Sequence, residues 1–423
     1  MENNMNTQKF GLRLKRVNDA IALTEPDFVP VVPNIDGIAY TLYPGIGATH
    51  KNAMYGHDKA IAAVVRYHEE FEPDANTLFG VFMDGEACDI LKPDNFDWPG
   101  RAGSKVADAS VYQVMDREYM SADEYDEFLS DYTGFMVRKF LPRAYGSLKG
   151  LEGFDLDPNS LFGTRPLAPL TAPPVQEALK TLVRLGEAAA KNGDVLMSVN
   201  MALAQAGFPP FFTGVASCPF DILSDYIRGT MGTLMDQVER RDKVAAACEL
   251  LSGVVTGTLQ YFRFAELPVR RVFFPLHKGM DGFMSDEDYR DLYWAPFQKV
   301  LEFLIGIGVT PLIFTEGPYN TRIKFLSEKL SELPPGSCII HFDKGNFKEI
   351  KKAFSGKACI MGGIQGDLLR AGTKEEVADN VKYLIDNCAA GGGYMIDVDT
   401  PLEIAKRENL ETMFETARAY GKR

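Results

Sequence analysis

From position 272 to position 399 the chain repeats one unit: a short apolar run that ends on a polar or charged residue, followed by a segment of helical spacing. Val272–Leu276 leads into His277, Pro311–Phe314 into Thr315-Glu316-Gly317, and Cys338–Ile340 into His341-Phe342-Asp343. Ala358–Met361 leads into Gly362-Gly363, and Tyr394–Ile396 into Asp397. Apolar strands separated by helices need crossover connections, and therefore a parallel sheet covered on its faces. No Gly-rich phosphate loop interrupts the series, which favours a closed barrel over an open sheet. In a (β/α)8 TIM barrel the residues just past each strand converge on one mouth, where such folds place their chemistry.

The earlier part of the chain fits the same plan. Residues 8–23 have helical spacing with basic residues between the apolar ones, and Glu25-Pro26-Asp27 ends that helix. Phe28–Pro33 reads as a buried first strand, Lys59–Phe71 as a helix, and Thr77–Phe82 as a second strand ending on Asp84-Gly85-Glu86. Residues 92–110 form a long aperiodic loop, of a kind that is often functional. A helix over Val175–Lys191, a strand near Val195–Asn200 and a helical region over Ser224–Phe264 complete the expectation. The division is an N-terminal helical extension over 1–26 and an α/β barrel over 27–423, with long loops at its mouth.

A chain of 423 residues can bury such a core. Its formal charge of −13 and the absence of a Lys/Arg block argue against nucleic acid or an anionic membrane as partner. The polar start lacks the order of a signal peptide, and Leu301–Phe314, the longest apolar stretch, is too short to span a bilayer. Six scattered cysteines without a CxxC pair suit a reduced, cytoplasmic setting.

Four strand-end residues carry the chemistry expected of the mouth: His277, Glu316, Asp343 and Asp397. A divalent metal needs three or four such ligands, and zinc accepts imidazole and carboxylate; His277, Glu316 and Asp397 are the candidate set. Each acid could equally be a helix cap, Asp343 above all. His341 shares a face with Asp343 and could reach the substrate or sit satisfied in the core. Asp84, Tyr319, Arg322 and Gly363 are further candidates for substrate contact, with Arg228 as a second guanidinium. Tyr55, Trp98 and Tyr112 could wall a flat substrate, although aromatics mostly serve burial. His57 and His68 read as surface or capping residues.

Several blocks resemble the uroporphyrinogen decarboxylase superfamily: Glu25–Val31, Pro219–Met231, His277–Pro296, Ala371–Val377, Gly391–Tyr394 and Lys406–Asn409. The resemblance covers most of the chain, is strongest after 219, and implies a (β/α)8 barrel. True porphyrinogen decarboxylases carry an arginine-rich segment near the N-terminus, whereas the residues after Val31 read Val-Pro-Asn-Ile-Asp-Gly-Ile-Ala-Tyr. The branch resembled better comprises zinc methyltransferases that exchange methyl groups with a corrinoid protein. Their His-x-Cys-Gly segment is here Phe314-Thr315-Glu316-Gly317, and no Cys stands in 394–399, so a thiolate-rich site is excluded there.

The resemblance implies a methyltransferase working between a small methylated compound, such as a methoxylated aromatic, and a separate corrinoid protein. Glu316, His277 and Asp343 would be its catalytic groups, and Zn2+ its metal. No Asp-x-His-x-x-Gly corrinoid-binding segment is present, so the corrinoid must come on another polypeptide. The alternative is a cofactor-free carboxy-lyase acting on another substrate, with Asp84 and Asp343 more important than His277. A non-catalytic, corrinoid-binding member is the third reading. A homodimer is left open.

Overall fold

The computed structural model describes residues 2–78, 82–155 and 165–422. At its centre six parallel strands lie side by side in sequence order: β3 (Gly214–Val215), β4 (Arg271–Leu276), β5 (Thr310–Pro318), β6 (Ile339–Lys344), β7 (Cys359–Ile364) and β8 (Tyr394–Val398). A separate hairpin, β1 (Phe96–Asp97) with β2 (Gln113–Val114), lies within the long loop region. Every residue of β4, β7 and β8 is buried, as strands packed on both faces require.

Hydrogen bonds continue beyond both edges of the six strands. Ile396 N–H donates to Pro30 at 2.8 Å and Val32 N–H to Ile396 at 2.9 Å. Asp74 N–H donates to Val31, Asn76 N–H to Pro209 and Phe211 N–H to Asn76, at 2.8–2.9 Å, and Thr213 N–H reaches Arg271 at 3.0 Å. Pro30 and Pro33 have no N–H to give, which leaves the first of these segments as isolated bridges rather than a continuous ladder.

Two apolar layers result. Phe273, Leu312, Phe314, Ile339, Cys359, Met361 and Met395 form an inner cluster with Val17, Ala20 and Ile21 of the helix Glu2–Ile21. That N-terminal helix therefore plugs the amino end of the sheet. The buried Arg271 guanidinium fixes it, donating to Asn18 Oδ1 at 2.5 Å and to the Phe211 carbonyl at 2.8 Å. The larger outer cluster lies between the sheet and the helices around it. No helix among the described residues is long and apolar enough to cross a membrane.

The structure corrects two expectations. The strand expected at Val195–Asn200 lies inside one helix, Pro173–Gln205. A short apolar run cannot be told from a buried helical turn by periodicity, and this one sits in a long helical frame. The strand that fills the gap follows Phe208-Pro209-Pro210-Phe211, whose prolines disguise it. His68 is buried rather than exposed, and its Nδ1 lies 2.8 Å from the Val64 carbonyl. Of the strand expected at Thr77–Phe82, positions 79–81 lie outside the described residues.

Asp397, fully buried on β8, joins the two ends of the chain. Its Oδ1 accepts the N–H groups of Asn34 at 2.6 Å and Val398 at 2.7 Å. Its Oδ2 faces His341 Nε2 at 3.3 Å, but that nitrogen is closer to the Val398 carbonyl, at 3.0 Å. Burial pushes Asp397 well above the usual carboxylate range and His341 down to about 4, so the contact is between neutral groups rather than ions. His341 also stacks on Phe314, with ring centroids 4.0 Å apart and planes 8° from parallel. Asp397→Ala strands two buried N–H donors, each costing roughly 1–3 kcal/mol. Urea denaturation should therefore show a loss of about 2–6 kcal/mol; a loss under 1 kcal/mol would contradict this structural role.

Candidate active site

The carboxyl ends of parallel strands face one side of the sheet, and two polar groups meet there. The first centres on His277, which follows β4. Its backbone N–H and that of Lys278 both donate to Asp221, each at 3.0 Å, and Tyr293 O–H donates to the same carboxylate at 2.7 Å. Asp221 is completely buried, and burial with the nearby Asp225 raises it to about 7. It clamps the loop that presents the imidazole.

The His277 side chain lies between two further acids. Nδ1 is 2.5 Å from Asp225 Oδ2, and Nε2 is 3.6 Å from Glu316 Oε1. Lys278 Nζ sits 3.0 Å from the other Asp225 oxygen. Burial works against a charged imidazole, yet the bonds to Asp225 and Glu316 outweigh it and raise His277 to about 10. His277 is thus an imidazolium at neutral pH, with Nδ1 engaged by Asp225 and Nε2 turned toward the mouth. Side-chain exposures of 31% for His277 and 46% for Glu316 keep the pair reachable from outside.

Local distortions aim these groups. Asp225 lies in a π-helical turn, Ile222–Ile227, and Tyr293 in another, Tyr289–Trp294; such turns often accompany functional sites. The register of β5 against β6 shifts between Thr315 and Pro318, a bulge at Glu316-Gly317. Gly317 there has φ +84°, and a Cβ would come 2.9 Å from Met280 Sδ. Asp343 Oδ2 accepts the Gly317 N–H at 2.7 Å, so Asp343 positions the Glu316 turn. Burial raises the Asp343 carboxyl, with Asp399 and Glu316 adding to the effect.

The second group spans the seam between the first segment and β8. Asp36 follows Ile35, which bridges Leu402, and Glu403 is the next residue on the other side. His50 opens the helix His50–Met54 and brings Nε2 to 3.0 Å from Glu403 Oε2. One ligand atom from each of Asp36, His50 and Glu403 lies within 4.8 Å of the others. Burial and the neighbouring Glu403 raise Asp36 to about 7, with His50 opposing. Half-buried Tyr112, just before β2, feels Asp36, Glu403, Tyr226 and Glu316, so it lies within electrostatic range of both groups.

The structure brings Glu316, His277 and Asp343 together. It does not bring Asp397 to them: both of its oxygens are held in the interior, which leaves none to complete a metal set with His277 and Glu316. An imidazolium also has no lone pair for a metal. His341 lies with Asp397 in the core. Tyr319 is fully buried beneath Gly279, and Arg322 is tied to Asp286 and to the Met284 carbonyl, with its guanidinium 4.4 Å over the Tyr289 ring. Gly363 faces helix Lys374–Cys388, where a Cβ would strike Leu384 at 2.5 Å.

Asp84 caps the helix Gly85–Leu91 and lines a separate recess of about 270 Å³ with His57 and Lys191. Arg228 is spent on Asp236, at 2.7 Å, and on Glu118. Trp98 is buried, donating to Tyr55 at 2.9 Å, so of the three wall candidates Tyr112 is the one beside the acids. Sequence reasoning missed Asp221, Asp225, Asp36, His50 and Glu403. The i, i+4 spacing of Asp221 and Asp225 was a usable signal; Asp36 and Glu403 are too far apart in sequence to give one.

No curated protein sequence matches the chain significantly. A solved methyltransferase from Methanosarcina mazei has a similar fold, with a TM-score of 0.59 at 13% identity, over 96% of this chain and 98% of that one. The family model for uroporphyrinogen decarboxylase matches residues 167–420, well over half the sequence. The chain belongs to the uroporphyrinogen decarboxylase family.

Proposed function

We propose that this protein is a methyltransferase that moves a methyl group between a small methylated compound, foremost a methoxylated aromatic, and the corrinoid of a separate protein. The carrying observation is the His277 imidazole, with Nδ1 2.5 Å from Asp225 and Nε2 beside the exposed Glu316. In this reading the hydrogen bonds running on from β8 through 29–35 and 74–77 to 209–213 close an eight-stranded barrel, and the site is its mouth. The setting is cytoplasmic.

Demethylating an ether leaves an alkoxide or phenolate, and the barrier falls if a proton reaches that oxygen as the bond breaks. An acid near 10 matches a phenol, whose own value is about 10, so the transfer is close to thermoneutral. His277 Nε2–H would give this proton to the leaving oxygen, while Asp225 holds the ring through Nδ1. Glu316 would return a proton from solvent to Nε2. When docked, the corrinoid supplies the nucleophile that accepts the methyl group. The exposure of His277 and Glu316 suits a cofactor delivered from outside.

His277→Gln should lower demethylation of a methoxylated aromatic by about 10²–10⁴-fold, the usual range for loss of a general acid. The assay is chromatographic release of the phenol with reduced corrinoid protein present. Full activity in this variant, or carbon dioxide release from a carboxylated substrate without corrinoid, would overturn the reading. The charged His277 is lost as pH rises through about 10, so the alkaline limb of kcat/KM should lie near there. Asp225→Asn removes a group that raises His277 and should move that limb down by at least one pH unit. An unmoved limb would count against the Asp225–His277 assignment.

A further inference from the structure

Asp36, His50 and Glu403 come from three separated parts of the chain and meet in one group, within electrostatic range of Tyr112. Two carboxylates this close repel one another unless a proton or a cation stands between them. Neither carboxylate has a lysine or arginine within ion-pair distance among the described residues; the one pairing is that of Glu403 with His50. Asp36 Oδ1 is buried and has no hydrogen-bond partner, an arrangement that calls for a ligand.

The backbone also makes room for this arrangement. Gly37 lies against the group: a Cβ there would come 2.3 Å from Glu403 Oε2 and 2.5 Å from His50 Nε2. No residue with a side chain fits without dispersing the cluster. The His50 ring is braced edge-on by Tyr40, with centroids 5.4 Å apart and planes at 86°. Bracing of this kind holds Nε2 in place instead of leaving it to choose among rotamers.

We propose that Asp36, His50 and Glu403 bind a divalent cation, Zn2+ in the first instance. One imidazole and two carboxylates are a donor set that zinc accepts, at metal–ligand distances of roughly 2.0–2.2 Å and ligand–ligand separations of about 3.4 Å in a tetrahedral shell. The present separations, all within 4.8 Å, need only a small contraction. Three protein ligands leave a fourth position, as zinc sites that act on substrates do. Tyr112, which also feels Glu316, lies within electrostatic range of this group. The ion would hold and polarise an oxygen of the substrate while His277 acts as the acid. This role rests on the methyl-transfer reading; the binding itself does not.

The test therefore measures binding without turnover. Full-length protein is freed of metal with a chelator and titrated calorimetrically with ZnCl2, and metal content is read by mass spectrometry after gel filtration. Wild type should hold one equivalent. His50→Ala and the near-isosteric Glu403→Gln should each weaken binding at least 100-fold, whereas His277→Gln should retain it. Circular dichroism confirms that each variant is folded. Failure of wild type to bind a stoichiometric ion, binding unaffected by both cluster variants, or loss of the ion in His277→Gln would overturn the assignment. Normal metal binding by a protein that demethylates nothing would sink the methyl-transfer role and leave the site standing.

Discussion

The carboxylate of Asp397 ties the beginning of the chain to its last strand. By accepting N–H groups from Asn34 and Val398 it fixes the 29–35 segment against β8, and the Ile35–Leu402 bridge follows directly. Asp36 and Glu403, the next residues on either side, are thereby forced to face each other. The N-terminal helix and the apolar interior fill the amino end of the sheet, and His277, Glu316 and Asp343 lie at the carboxyl ends of the strands. A residue that reads from the sequence as a metal ligand thus acts as the fastener that builds a different polar group.

Across the mouth the charges are arranged with opposite logic. Asp221 holds backbone, Asp225 holds the imidazole, and Glu316 approaches it from a bulged strand, so three acids surround one base. That excess of negative charge is what carries His277 to about 10 against the penalty of burial. In the second group two acids share one imidazole, with no arginine or lysine in ion-pair distance among the described residues, and burial with Glu403 raises Asp36. Tyr112 lies within electrostatic range of acids from both groups, Glu316 on one hand and Asp36 with Glu403 on the other.

Much of this architecture was legible in the sequence. The five strand ends from His277 to Asp397 were readable because parallel strands buried on both faces are apolar runs with abrupt polar stops. His277, Glu316 and Asp343 come together as their positions at the carboxyl ends of β4, β5 and β6 imply. What stayed hidden has physical causes. Pro209 and Pro210 removed the N–H groups and the alternation that mark a strand, and Val195–Asn200 imitated one inside a helix. Asp36, His50 and Glu403 were invisible because only long-range contacts such as the Ile35–Leu402 bridge join them. Tyr319 is taken up by packing and Arg322 by internal pairing, which the sequence does not show. The family resemblance of the blocks after 219 was the most informative single signal, and the match over 167–420 agrees with it.

The charge state of His277 is the claim on which the chemistry stands. Selective isotope labelling of the five histidines, with NMR shifts followed from pH 5 to 11 and His277 assigned by its Gln variant, measures it directly. The account predicts imidazolium shifts for His277 that persist past pH 9, while His341 and His68 stay neutral down to about pH 5. Titration of His277 near 6.5, the value of a free imidazole, would contradict it.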